Sequence, residues 1–210
     1  MTAHTSAHID VAPPGAPTRR FAMTRSPLRL LVLLVTAALG AVLLAPSASA
    51  GAAPYCGITW GSLAKSGTHD PGGDTLRNVR AGQHTCYDRL VIDLARAPHF
   101  TAYSVKYGTA YEQGSGKALS LRGTDMQIVL DSPAYDTNGT ATYTPVSKSE
   151  VVNVSGFRTF EQVAWGGSFE GKTTIGLGVR ARLPFRVTVL EGSPGHPTGA
   201  RVIVDVAHAW

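Results

Sequence analysis

Apolar and polar residues alternate with a period of two along much of the chain, most clearly from Thr173 to Leu183. Every second residue from Ile175 onward is apolar there, and the residues between are polar or glycine. This period puts the apolar side chains on one face and predicts a half-buried β-strand. The same parity continues past Pro184, which predicts one long strand kinked at that proline, since proline is tolerated at strand edges and bulges. A last strand is predicted over 201–206, with its valines facing inward.

Helical patterns are weak, because no long stretch shows the 3.6-residue period of a helix. Only Phe160 to Trp165 is predicted to form one helical turn. The strands are separated by turn signals, namely Pro71-Gly72-Gly73, Gly114-Ser115-Gly116, Asn138-Gly139 and the run 191–199. Short strands with such turns are typical of an antiparallel sandwich or a small barrel. We predict an all-β protein built as an antiparallel β-sandwich, with no linker that divides residues 51–210.

The first 50 residues have a different character. The apolar run Leu30–Leu44 follows four arginines and is followed by Ala48-x-Ala50. The run is short for a bilayer span, and the small residues fit a signal-peptidase site. We expect residues 1–50 to be a cleaved signal peptide with a long n-region, so that the exported chain starts at Gly51 and keeps no stable membrane span. An uncleaved anchor, a start at Met23 and export by the twin-arginine route remain alternatives.

The formal charge of the chain is +5, but much of it lies in the predicted signal. Residues 51–210 carry 15 Lys and Arg against 13 Asp and Glu, a net charge of +2. They contain no run of basic residues, so nucleic acid is not a predicted partner.

The only two cysteines are Cys56 and Cys86, both in the predicted exported part. Two cysteines outside the cytoplasm indicate one disulfide. A metal pair completed by His84 is the alternative, but a structural zinc site normally needs four ligands at short spacing. We therefore expect residues 51–74 to form an N-terminal extension clipped by the disulfide to a domain over 75–210, with no metal site.

Two segments imitate nucleotide-binding motifs. Residues Gly166 to Thr173 match the P-loop pattern, which works only where a helix follows the lysine. Here a strand pattern follows, and we read 166–173 as a loop entering that strand. The run from Gly176 to Ala181 imitates a dinucleotide motif within the same strand, where its glycines would permit close packing. No nucleotide and no other cofactor is predicted. The hydrolase motifs H-E-x-x-H and G-x-S-x-G are absent, and no catalytic residue is predicted.

Charged residues recur at matched positions on the predicted strands. In Arg89–Leu94 and Arg201–Val206, an arginine and an aspartate four apart point to one side. We interpret them as solvated outer-face charges that pair across strands. Arg180, Arg182 and Arg186 share the parity opposite to the apolar residues and would form a basic stripe. This stripe is our candidate site for an anionic envelope polymer, although ordinary solvated charges would give the same pattern.

These segments together resemble the AMIN-like domain of secreted actinobacterial proteins. The resemblance is carried, in order and spacing, by 86–94, 168–171, 176–178, 184–187 and 201–206, and it spans most of 75–210. It implies a relative of AMIN domains, which are β-sandwich modules that bring cell-wall amidases and secretion-pore proteins to the envelope, in several cases by binding peptidoglycan. No amidase or pore domain is attached here, and the resemblance implies no catalytic residue.

We therefore expect a secreted, non-enzymatic module that binds an envelope component such as peptidoglycan. One alternative is a small-ligand or lipid carrier, which would need a large apolar cavity. The other is an envelope-acting hydrolase, which would need a pair of carboxylates in a cleft.

Overall fold

The computed structural model describes residues 54–68, 74–95, 102–192 and 199–210. The predicted signal segment lies outside these ranges. The described residues contain a short 3-10 turn, Tyr55–Gly57, and nine strands. The strands are β1 (Lys65–Thr68), β2 (Leu76–Gln83), β3 (Tyr87–Leu94), β4 (Ala102–Tyr107), β5 (Thr124–Leu130), β6 (Phe160–Phe169), β7 (Lys172–Val179), β8 (Phe185–Leu190) and β9 (Arg201–Ala207).

The strands form two sheets, and neighbouring strands within each sheet are antiparallel. One sheet has five strands in the order β1-β4-β5-β7-β6, and the other has four in the order β2-β3-β9-β8. This arrangement confirms the predicted all-β sandwich. The inward valines of β9, Val202, Val204 and Val206, are completely buried, as their alternation predicts. They pack in one core with side chains such as Leu90, Ile128, Leu177 and Phe185.

The predicted kinked strand through Pro184 is wrong. β7 ends at Val179 in the five-stranded sheet, and β8 begins at Phe185 in the four-stranded sheet. Residues 180–184 carry the chain from one sheet to the other. The parity survives this crossing because both strands direct their apolar side chains into the same core.

The half-buried prediction for β7 is also wrong, because Thr173–Val179 is buried on both faces. A side chain at Gly176 would meet Leu119 at 2.9 Å, and one at Gly178 would meet the Arg122 carbonyl oxygen at 2.2 Å. The two glycines thus allow the loop before β5 to lie directly on the strand, as the close-packing interpretation predicts.

Residues 160–173 form a hairpin. The helical turn predicted at Phe160–Trp165 is wrong, since these residues begin β6. The segment 166–173, which matches the P-loop pattern, covers the end of β6, a turn at Glu170-Gly171 and the start of β7. The interpretation of 166–173 as a loop entering a strand is therefore wrong. Both turn residues have positive φ, 48° and 79°, as in a type I′ hairpin. No helix follows Lys172, so the helix N-terminus that a P-loop needs is missing here.

The N-terminal extension is part of the sandwich. The disulfide between Cys56 and Cys86 is present, which confirms the predicted pairing. Beyond it, β1 adds an edge strand to the five-stranded sheet by pairing with β4. In addition, the Phe185 amide donates to the Gly61 carbonyl at 2.8 Å.

Removing the disulfide should destabilise the protein. The bridge joins residues 30 apart, for which loop entropy gives about 3–4 kcal/mol. We expect the double change Cys56→Ser and Cys86→Ser to lower the unfolding free energy in urea by this amount. The parent protein with its disulfide reduced is the control and should match the double variant. Equal stability of the oxidised parent and the double variant would contradict the prediction.

A methyl group at Gly178 should be poorly tolerated. It would lie 2.2 Å from a backbone oxygen that cannot move without the chain. Overpacking of this kind costs about 1–3 kcal/mol, so Gly178→Ala should lower the melting temperature. Gly82→Ala is the matched control, because no atom lies within 4 Å of the added carbon. If both variants melt at the same temperature, the contact at Gly178 is not tight.

Candidate anion-binding face

On the outer face of the four-stranded sheet, charged side chains from all four strands lie close together. Across the four strands, Gly82 lies opposite Arg89, Arg89 opposite Asp205, and Asp205 opposite Arg186. We use the name arginine face for six charged residues that the strand register brings together on this side of the sheet; they are Arg80, Arg89, Arg186, Arg201, Asp93 and Asp205. Four arginines and two aspartates leave this face a formal net charge of +2.

Asp205 is the centre of the arginine face. Its carboxylate is completely buried and accepts hydrogen bonds from Arg89 Nε at 2.7 Å and Nη2 at 2.9 Å. Arg186 Nε donates to the same carboxylate at 2.8 Å. The hydrogen bond to Asp205 raises the pKa of Arg89. One buried anion thus fixes two guanidinium groups, each of which keeps N–H donors for other partners.

A second ion pair, between β2 and β3, lies further along the same face. Arg80 donates to both carboxylate oxygens of Asp93, at 2.8 and 3.0 Å, and this hydrogen bond raises the pKa of Arg80. Arg201 lies opposite Asp93 in the β3–β9 register. In the described part of the chain, Nε of Arg201 is buried and has no hydrogen-bond partner.

These arginines surround a depression of about 280 Å³ in the sheet surface. Its lining residues are Arg80, Ala81, Gly82, His84, Arg89, Val91, Leu190, Arg201 and Ile203. Its floor includes Gly82, where an added Cβ would have no atom within 4 Å, and the apolar side chains of Val91 and Ile203, which carry no charge. Three guanidinium groups and an imidazole line it, with no carboxylate among the lining residues. Such a surface attracts carboxylate or phosphate groups.

Aromatic rings border the arginine face at one end. The Arg186 guanidinium lies 5.4 Å from the centre of the Trp60 ring and 5.2 Å from that of Tyr87. Arg89 lies 5.1 Å from the Tyr87 ring, against which His84 stacks at 4.7 Å. Cation–π attraction therefore helps to hold both guanidiniums in place. Trp60 reaches this position because the disulfide anchors its segment beside β3.

The predicted stripe of Arg180, Arg182 and Arg186 is not one surface. Arg186 belongs to the arginine face, but Arg180 and Arg182 lie in the connection between the sheets. Arg180 donates to the backbone oxygen of His208. Arg182 donates to that of Ser62 at 3.2 Å and lies over the Tyr107 ring. The stripe fails because the strand on which it was based changes sheets.

The repeated arginine–aspartate pattern was the better signal for this site. β3 and β9 are antiparallel neighbours, so Arg89 faces Asp205 and Asp93 faces Arg201. The expected cross-strand pairing is confirmed for Arg89 and Asp205. The expectation that these charges are solvated is wrong for Asp205, because two arginines cover it. Arg80 lies on β2, outside both repeated segments, so the repeat did not predict that it belongs to the arginine face.

A second polar cluster lies inside the sandwich. The buried Asp88 carboxylate accepts the Thr159 amide at 2.6 Å and the Phe160 amide at 3.1 Å. It also lies 3.0 Å from Nε2 of His208, whose Nδ1 is 3.2 Å from the Thr85 carbonyl oxygen. Both side chains are closed to solvent, so this cluster fastens the end of β9 to β3 and to the start of β6.

The described ranges contain neither a metal-binding cluster nor a membrane-spanning helix. Within them, no three histidine, cysteine or acidic side chains are grouped so that they could hold a metal ion. None of the helical segments in the same ranges has the length and hydropathy of a membrane span.

A family model described as the AMIN-like domain matches residues 74–208. The chain belongs to the AMIN-like domain family. AMIN-like domains are generally extracytoplasmic and associated with the cell envelope. The whole arginine face lies within the matched region, whereas Cys56 and Trp60 precede it. Comparisons with curated proteins and with solved structures give no significant match.

Replacing Asp205 should test how strongly the arginine face is built into this AMIN-like domain. Asp205→Asn removes the charge that pairs with two partly buried arginines. Breaking a buried ion pair on one side costs about 3–5 kcal/mol, and we expect a loss of unfolding free energy in that range. Asp93→Asn is the control, because its partner Arg80 is half exposed and such pairs contribute about 0–1 kcal/mol. Similar losses in the two variants, measured by urea denaturation, would contradict this assignment.

Proposed function

We propose that this AMIN-like domain is a secreted, non-enzymatic module that binds an anionic polymer of the cell envelope, such as peptidoglycan, through the arginine face. The observation that carries the proposal is the depression lined by Arg80, Arg89 and Arg201 without an acidic side chain. The placement of AMIN-like domains at the envelope supplies the class of partner.

The chemistry of the arginine face suits such a polymer. Peptide stems carry carboxylates and teichoic acids carry phosphates, and a guanidinium group can donate two parallel hydrogen bonds to either. Asp93 and Asp205 hold Arg80 and Arg89 in fixed orientations before a ligand arrives. Less side-chain freedom is then lost on binding, which favours affinity.

The two alternative functions have less support. A hydrolase of envelope glycans would need two carboxylates facing one cleft. On the arginine face Asp205 is buried and Asp93 is paired with Arg80. Two glutamates line the groove beside the loop 150–157, but Glu150 is paired there with Arg122 at 2.6 Å. A carrier would need an enclosed apolar cavity. The groove of about 560 Å³ beside the loop 150–157 is instead lined in part by Arg122, Glu150 and Glu161. Among the described residues, buried apolar side chains of both sheets form one hydrophobic cluster between them.

Co-sedimentation with purified cell walls tests the proposal. We expect the purified protein to sediment with the walls and to be released as salt screens exposed charges. The double change Arg80→Gln and Arg201→Gln should lower the affinity tenfold or more, because a hydrogen bond to a charged group contributes about 1.5–3 kcal/mol.

The matched control is the double change Lys106→Gln and Arg158→Gln, which removes the same charge from exposed positions outside the arginine face. It should keep the affinity of the parent. Equal losses in the two double variants would indicate a general charge effect and contradict the proposed site. The double change Arg180→Gln and Arg182→Gln tests the stripe separately. If only this variant loses affinity for the walls, the binding site lies in the connection between the sheets and not on the arginine face.

A further inference from the structure

A groove next to the arginine face is built from the two ends of the described chain. It has a volume of about 290 Å³, just below the range of ~300–1,000 Å³ for ligand pockets. Its lining residues are Pro54, Tyr55, Ile58, Thr59, Trp60, Pro184 and Trp210. Aromatic rings and prolines dominate, with no charged side chain among the lining residues, and 72% of Trp210 is exposed.

The N-terminal wall of the groove is held in place by covalent and hydrogen bonds. Cys56 ties the segment to Cys86 at the start of β3. Within the segment, Trp60 Nε1 donates to the Tyr55 carbonyl oxygen at 2.8 Å. The one polar atom of the Trp60 indole is therefore satisfied inside the protein, and its ring is left to serve as an apolar surface.

The C-terminal wall is anchored as well, although Trp210 itself is exposed. The Ala207 amide donates to the Pro184 carbonyl oxygen, and the His208 amide donates to that of Cys86, both at 2.9 Å. The His208 ring lies against the buried Asp88 carboxylate at 3.0 Å. The exposed Trp210, two residues beyond this anchor, forms one apolar surface with Tyr55, Ile58 and Trp60, and contiguous exposed apolar surface marks contact sites.

The groove and the arginine face are continuous through Trp60. Its ring lines the groove and also lies 5.4 Å from the Arg186 guanidinium. One ligand can therefore place an apolar face in the groove and an anionic group on the arginines. A sugar ring has this combination, since its C–H face packs against aromatic rings while its polar rim stays in water. A polyphosphate chain lacks the apolar face, and a lipid chain needs a longer channel.

We infer that the groove between Trp60 and Trp210 binds a sugar ring, and that the ligand of the arginine face is a glycan whose carboxylates reach Arg186 and Arg89. This inference rests on the proposed function and adds to it the class of polymer and a second contact. The groove residues other than Pro184 lie outside the region matched by the family model, so the family match does not by itself imply this contact.

The test separates the groove from the arginine face by using an uncharged probe. Soluble oligomers of N-acetylglucosamine are titrated into the protein by calorimetry, and the tryptophan fluorescence is followed in parallel. We expect saturable binding, an affinity at least fivefold lower in Trp210→Ala, and partial recovery in Trp210→Phe. Arg80→Gln with Arg201→Gln should leave this affinity unchanged. Leu63→Ala is the control for a lost exposed apolar side chain, because Leu63 is 76% exposed and does not line the groove.

The outcomes distinguish the two proposals. If the neutral oligomers do not bind and Trp210→Ala still sediments with cell walls like the parent, the groove inference is wrong and the proposed function stands. If the oligomers bind at the groove but the protein does not sediment with walls, the groove stands and the proposed function fails. Saturable binding of a long-chain fatty acid that Trp210→Ala abolishes, without binding of oligomers, would overturn the sugar assignment in favour of a lipid.

Discussion

The register between β3 and β9 is the constraint on which the rest of this structure depends. It joins an early strand of the domain to its last one and sets Arg89 opposite Asp205 on the outer face. On the inner side the same pairing brings Asp88 to His208. A shift of one residue would turn every side chain of β9 to the other face. It would bury the charges and expose the valines, so core and surface both hold this register.

The sequence predicts those features of the fold that depend on the residue pattern within one strand. The inward valines of β9 and the all-β class follow from a period of two, and the disulfide follows from the number and location of the cysteines. The crossing at Pro184 does not follow, because a chain that leaves one sheet for the facing sheet keeps its parity when both face one core. The burial of β7 on its second face was also hidden, since the loop that covers it has no strand pattern.

The candidate site depends on four strands at once, which is the reason that the pattern within one strand predicted a wrong grouping of the arginines. Arg180, Arg182 and Arg186 are close along the chain, but the first two lie in the connection between the sheets and only Arg186 lies on the outer face of the four-stranded sheet. Arg80 and Arg201 are distant along the chain and yet line one depression. The repeated arginine–aspartate pattern contained this information, because two such segments paired antiparallel place each arginine opposite an aspartate. Only the register turns that repeat into a surface.

The arginine face and the two tryptophans of the groove differ in how closely they are tied to the core of the sandwich. The strands that hold the arginines also build the core, so a change in those strands acts on the proposed binding face and on folding together. Trp60 and Trp210 stand on short segments outside the family region, fastened by a disulfide and by a few backbone hydrogen bonds. Neither tryptophan belongs to the buried core, so the proposed sugar contact can change by substitution of a ring that the packing of the sandwich does not use.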